Sequence, residues 1–74
     1  MDVVLLGIGG IKEGVPPGAW APKLEAVLRK VNGVASATVH GEHRQARIEY
    51  DPDAITITDL IQVFRRLGLT AGVE

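Results

Sequence analysis

The apolar residues of this chain switch between helical and strand spacing, and the order of those switches leaves few folds open. Leu24, Val27, Leu28 and Val31 fall at i, i+3, i+4 and i+7, one apolar stripe on a helix. Lys23, Glu25, Arg29 and Lys30 take the wet side. Pro22 is tolerated in a first turn, so this helix is expected to begin between Ala19 and Pro22. Asn32-Gly33 ends it, Gly33 being suited to a left-handed stop. A second stripe, Ile57, Leu60, Ile61, Phe64 and Leu67, opens on Thr56 with Asp59 three residues on, the pattern of a capped helix start. Gly68 closes it.

Between the helices the period drops to two. Val34 to His40 alternates, with Ala37 and Val39 on one face and Ser36 and Thr38 on the other. Ala46, Ile48 and Tyr50 alternate with Arg47 and Glu49 after a polar hairpin, Gly41-Glu42-His43-Arg44. At the front, Val3 to Leu6 is apolar on both alternating sets, which reads as a strand buried on both faces. Residues 7 to 18, rich in glycine and proline, read as a long loop. Leu69 to Val73 reads as a short last strand.

The order is therefore β-α-β-β-α-β. With right-handed crossovers it gives a ferredoxin-like sandwich: one four-stranded antiparallel sheet, two helices on one face, an α+β fold in a single domain spanning residues 1–74. That topology gathers three connections at one end: the loop before helix one, the hairpin at 41–45, and the turn at Gly68. With helices on one side only, one of the pairs Val3/Leu5 and Val4/Leu6 would stay wet. The open sheet face is thus a candidate surface for a second copy, a homodimer, unless the long loop or another domain covers it.

Composition excludes whole classes of function. There is no cysteine among the 74 residues, so disulfides, thiolate metal sites and cysteine nucleophiles are all ruled out. Eight Lys and Arg against nine Asp and Glu give a formal charge of −1, not the basic excess of a nucleic-acid binder. RNA-recognition domains share this topology but stack bases on aromatics of strands one and three, where this chain offers only Tyr50. Gly7-x-Gly9-Gly10 lacks the Gly-Lys-Ser/Thr ending of a phosphate loop. No acid pair or Ser-His-Asp set forms a catalytic motif, and no cofactor is implied. Met1-Asp2 does not open like a signal peptide, and the apolar run at 3–6 is far short of the ~20 residues of a membrane span. The expected location is cytoplasmic.

Several stretches together resemble the heavy-metal-associated domain, the small copper-chaperone type also found at the front of metal-pumping ATPases. They are Lys23-Leu24-Glu25-Ala26-Val27-Leu28, Val31-Asn32-Gly33-Val34, Ala46 to Pro52, Thr58-Asp59-Leu60-Ile61, and Leu67-Gly68-Leu69-Thr70-Ala71. The resemblance implies a Met-x-Cys-x-x-Cys loop entering helix one. Counted back from Leu24-Glu25, its cysteine positions fall on Pro17 and Trp20, and its methionine position on Val15. The segment Gly7 to Gly14 looks like an extension of that loop. Cu(I) prefers sulfur ligands, and Met1 is the only sulfur here, at the wrong end of strand one.

The function expected from this is a non-enzymatic module that has lost the thiolate site and docks a protein partner through the same loop end. Val15, Pro16, Pro17, Gly18, Trp20 and Leu69 are the candidate contacts, with Trp20 as anchor. Trp20 could equally pack over the loop as part of an aromatic-poor core. A second possibility is a Zn, Ni or Cu(II) site on His40 and His43, with Glu42 or Glu13 adding oxygen. Its alternative is a pair of solvated hairpin histidines. A third follows from Pro17-Gly18 before an apolar helix, which resembles the loop of ACT regulatory domains that bind amino acids between subunits.

Overall fold

Thr56 starts a helix because its hydroxyl accepts the Asp59 N–H at 3.1 Å while the Asp59 carboxylate accepts the Thr56 N–H at 3.2 Å. Two backbone donors that a helix start leaves orphaned are thereby satisfied. Local rules of this kind set most of the elements in a computed structural model that describes Met1–Glu74. In chain order they are β1 (Asp2–Gly9), α1 (Pro17–Arg29), β2 (Val34–His40), β3 (Gln45–Tyr50), α2 (Ile57–Arg66) and β4 (Thr70–Val73). The sheet order is β2-β3-β1-β4, with every neighbouring pair antiparallel. This is the expected ferredoxin-like arrangement.

The core lies between the sheet and the helices. Leu6, Leu28, Ile48, Leu60 and Phe64 are fully buried, one or two from each of β1, α1, β3 and α2. No polar or charged side chain is buried with them, so the interior is held by apolar burial alone. No helix is long and apolar enough to cross a membrane.

The structure corrects the sequence reading at several points. β1 runs on to Gly9, and only Gly10 to Pro16 remains as connection before α1. Gly7 and Gly9 stay in the strand because β1 is central: Gly7 pairs with Gln45 and Gly72, and Gly9 with Thr70. Ladder partners on two sides outweigh the glycines' weak strand preference. β1 is also buried on one face, not two. Val4, Leu6 and Ile8 point into the core, while Val3 and Leu5 are 50% and 44% exposed on the open face.

α1 begins earlier than expected. Pro16 is its N-cap residue and Pro17 its first residue, where a missing N–H costs nothing. Pro22 then falls inside the helix, in the second turn, and withholds the N–H that would reach the Gly18 carbonyl. Gly18 is exposed, so water can take that acceptor. The inward stripe is Ala21, Leu24 and Leu28, with Val27 left 37% exposed. At the end of α2, Leu67 is the C-cap residue and 45% exposed, not a member of the core. Gly68 follows it with φ +80°, the left-handed stop expected there.

Candidate functional site

Three connections meet at one end of the sheet, as the topology requires. The Ile8 N–H donates to the Arg44 carbonyl at 2.8 Å, tying the 41–44 hairpin to the end of β1. Gly41 lies against the first turn of α1: a Cβ there would stand 2.6 Å from Pro17 Cβ and 3.2 Å from Ala21 Cβ. Only a residue without a side chain allows the hairpin so close to the helix. On the other side, Gly10 meets the end of α2, where a Cβ would come within 3.3 Å of the Gly68 carbonyl oxygen. The Leu69 N–H returns to the Phe64 carbonyl at 3.0 Å, which turns Leu69 back toward α1.

The start of α1 therefore stands between two depressions. One is a polar cleft lined by Pro17, Gly18 and Pro22 with His40, Glu42 and His43. The other is an apolar groove lined by Trp20, Leu24 and Val27 with Leu67 and Leu69, and with Lys23 at its edge. Trp20 is half-buried and packs against the core with one side while its other side lines the groove. Trp20 thus packs over the core and also leaves part of its ring on an accessible surface.

The sequence-derived candidates divide between these places. Trp20 and Leu69 come together in the groove. Pro17 and Gly18 share the cleft with both histidines and Glu42. Val15 and Pro16 are exposed and line neither depression. Glu13 does not join the histidines. No group of three His, Asp or Glu side chains converges anywhere in a way that could hold a metal ion. Two imidazoles on one hairpin supply at most two nitrogens, short of the three or four ligands of a tight zinc site.

Sequence reasoning missed Leu67 and Val27 as groove residues by placing both in the core stripe. The available signal was position. Leu67 directly precedes the Gly68 stop, so it sits where the helix has already ended. Val27 lies on the flank of α1 that Trp20 also occupies, two turns along.

Thiolate chemistry at this end would need donors that the chain lacks. Pro17 offers neither N–H nor side-chain donor, Trp20 offers only an indole N–H, and there is no cysteine. Met1 is at the opposite end of β1, beside the Asp2–Tyr50 pair. The residues present do not fit a thiolate-bound Cu(I).

Comparison with known proteins finds relatives over most of the chain. The model of the heavy-metal-associated domain matches residues 18–70. The copper-exporting P-type ATPase of Staphylococcus aureus strain JH9 is 33% identical over 61 residues, which is 82% of this chain and 8% of that protein. The chain thus spans only a small part of the curated relatives it matches. Among solved structures, a copper-binding domain from HMA7, a P-type ATPase, superposes with TM-score 0.85 at 26% identity, covering 100% of this chain and 95% of that one. Oxidized MerP from Ralstonia metallidurans CH34 superposes with TM-score 0.83 at 23% identity, covering 99% and 96%, and shares the fold.

Proposed function

The chain belongs to the heavy-metal-associated domain family, and from that premise we propose that it is a non-enzymatic docking module that binds a protein partner through its loop end without holding a metal on thiolates. The observation that carries this reading is the apolar groove beside Trp20. It includes Trp20, which counting back from Leu24-Glu25 sets at the family's second cysteine position, and Leu67 and Leu69 complete it from the far end of the chain. A half-buried tryptophan at the lip of an apolar groove is the kind of residue on which interfaces concentrate their binding energy.

The proline pair supports the same reading. Pro16 and Pro17 fix φ on both sides of the helix start, so the surface is stiff before anything binds. A stiff contact loses less conformational entropy on association. The open sheet face is the weaker alternative. It exposes Val3 and Leu5 directly opposite the charged Glu49 and Arg47, so its apolar residues are interrupted by charge. The ACT-like reading of Pro17-Gly18 falls away, because the family match begins at residue 18 and runs through the helix it was based on.

A photo-crosslinking residue placed at Lys23, exposed on the groove and leaving Trp20 in place, tests the site in cells that make the protein. The same residue at Thr58, exposed at the opposite end of the molecule, is the control. Adducts from position 23 and none from position 58 are expected. Equal labelling from both ends, or none from position 23, would contradict the reading.

A further inference from the structure

An open sheet ends in two edges, and an unpaired edge is a template for another chain. Here the edges are β2 and β4. β4 is four residues long, and shortness alone blunts it. β2 runs for seven residues without proline, lysine or an acid, so its protection must come from elsewhere. One part is a register shift between Val34 and Ser36, which interrupts regular pairing at the start of the strand. The other is Glu25. From α1 its carboxylate reaches the strand edge: Oε2 accepts the Val39 N–H at 3.3 Å, while Oε1 is held by Arg29 at 2.6 Å. No other side chain bonds to the backbone of a strand.

This bond shows which way the edge faces. In an antiparallel ladder, alternate residues bond to a given neighbour. The Val39 N–H points away from β3, so the backbone groups of Ala37 do as well, and Thr38 between them bonds to β3 opposite Arg47. Two copies related by a two-fold axis at Thr38 would therefore be complementary. Ala37 of each copy would lie opposite Val39 of the other, each such pair exchanging both its backbone bonds. Glu25 obstructs that joint in two ways. Val39 would have to give up a charge-assisted acceptor in both copies. The two carboxylates, each beside its own Val39, would also face each other diagonally across the joint, roughly 7–8 Å apart, within a Debye length at physiological salt.

We propose that Glu25 is an autoinhibitory latch that holds the β2 edge closed against a second copy of this chain, and that removing its carboxylate opens the edge to antiparallel pairing of β2 with β2. The latch lies on the flank of α1 away from the Trp20 groove, so it stands independently of the docking reading.

Sedimentation across a concentration series, with amide hydrogen exchange on the same samples, tests it. Glu25→Ala keeps a good helix former at a partly exposed position, so the fold is expected to survive. It is expected to strengthen self-association at least about tenfold over the wild type. The Ala37 amide, which has no acceptor in the single copy, should become protected as the variant associates. Arg29→Ala leaves the carboxylate in place and is expected to remain monomeric. Thr38→Glu puts a carboxylate beside Arg47 in one copy and opposite its own counterpart across the axis. Added to Glu25→Ala, it is expected to restore the monomer.

A Glu25→Ala protein that associates no more than the wild type would overturn the latch. So would equal association by Arg29→Ala, which would trace the effect to lost charge on α1. A dimer that persists with Thr38→Glu, or that leaves the Ala37 amide unprotected, would overturn the β2 joint. The wild type alone supplies a further check that needs no variant to fold: its Val39 amide should exchange more slowly than its Ala37 amide. Equal exchange at the two would show that Glu25 does not hold the edge and would overturn the proposal.

Discussion

Phe64→Ala is expected to lower stability by about 3–5 kcal/mol, the range for emptying a buried aromatic site. Phe64 is the chain's one phenylalanine and has no solvent exposure. It joins α2 to the core made by Leu6, Leu28, Ile48 and Leu60. At roughly 0.05–0.15 kcal/mol per residue, a domain this small has on the order of 4–11 kcal/mol in total. The substitution would remove about a quarter of that or more and leave much of the protein unfolded on modest warming. Urea denaturation measures it directly. Phe64→Leu, which keeps most of the volume, should cost about 1.5 kcal/mol or less. A loss below about 1 kcal/mol for the alanine variant would mean that the core collapses around the site or is not built on α2 as described.

The second large effect is expected at Gly33, where two penalties coincide. Its φ is +97°, beyond the small left-handed region open to other residues. A Cβ would also stand 2.9 Å from Ile55 Cγ2 and 3.1 Å from Ala54 Cβ. The Gly33 carbonyl meanwhile accepts the Asp51 N–H at 2.8 Å, so the turn cannot swing away without losing that bond. Backbone strain alone is of order 1–3 kcal/mol. Displacing Ile55, a core residue, adds to it. A double-mutant cycle separates the two parts. Gly33→Ala should cost less in an Ile55→Ala background, because the contact with Ile55 Cγ2 is removed while the dihedral strain and the close approach to Ala54 Cβ and to the Cβ of residue 55 remain. Equal cost in both backgrounds would show that the Ile55 Cγ2 contact contributes nothing.

Signals carried by adjacent residues were legible in the sequence. The bounds of β2, the Thr56–Asp59 capping box and the Gly68 stop each follow from local chemistry, and each stands where expected. What escaped depends on neighbours distant in the chain. Gly7 and Gly9 look like loop residues until β3 and β4 are seen to pair with Gly7 from both sides and β4 with Gly9. The helical stripes told which side of α1 and α2 is apolar, but not how far the sheet beneath them reaches. Hence Val27 and Leu67 were assigned to a core that stops short of them. The site was half legible. Topology alone brings the hairpin histidines and the start of α1 to one end of the sheet. The division into a polar cleft and an apolar groove arises from the return of Leu69 toward Trp20, a contact between the two ends of the chain.

The claim at the centre of this account is that a member of the heavy-metal-associated family works here without holding a metal at its loop end. An amide NMR titration of the metal-free domain with Cu(I) under reducing conditions, and with Zn(II), Ni(II) and Cu(II), tests it most directly. With no cysteine, and with His40 and His43 unjoined by any third converging ligand, no saturable shift is expected at stoichiometric metal. Saturable shifts at one equivalent, centred on His40 to His43 and the segment from Gly10 to Trp20, would contradict it and return the loop end to metal binding.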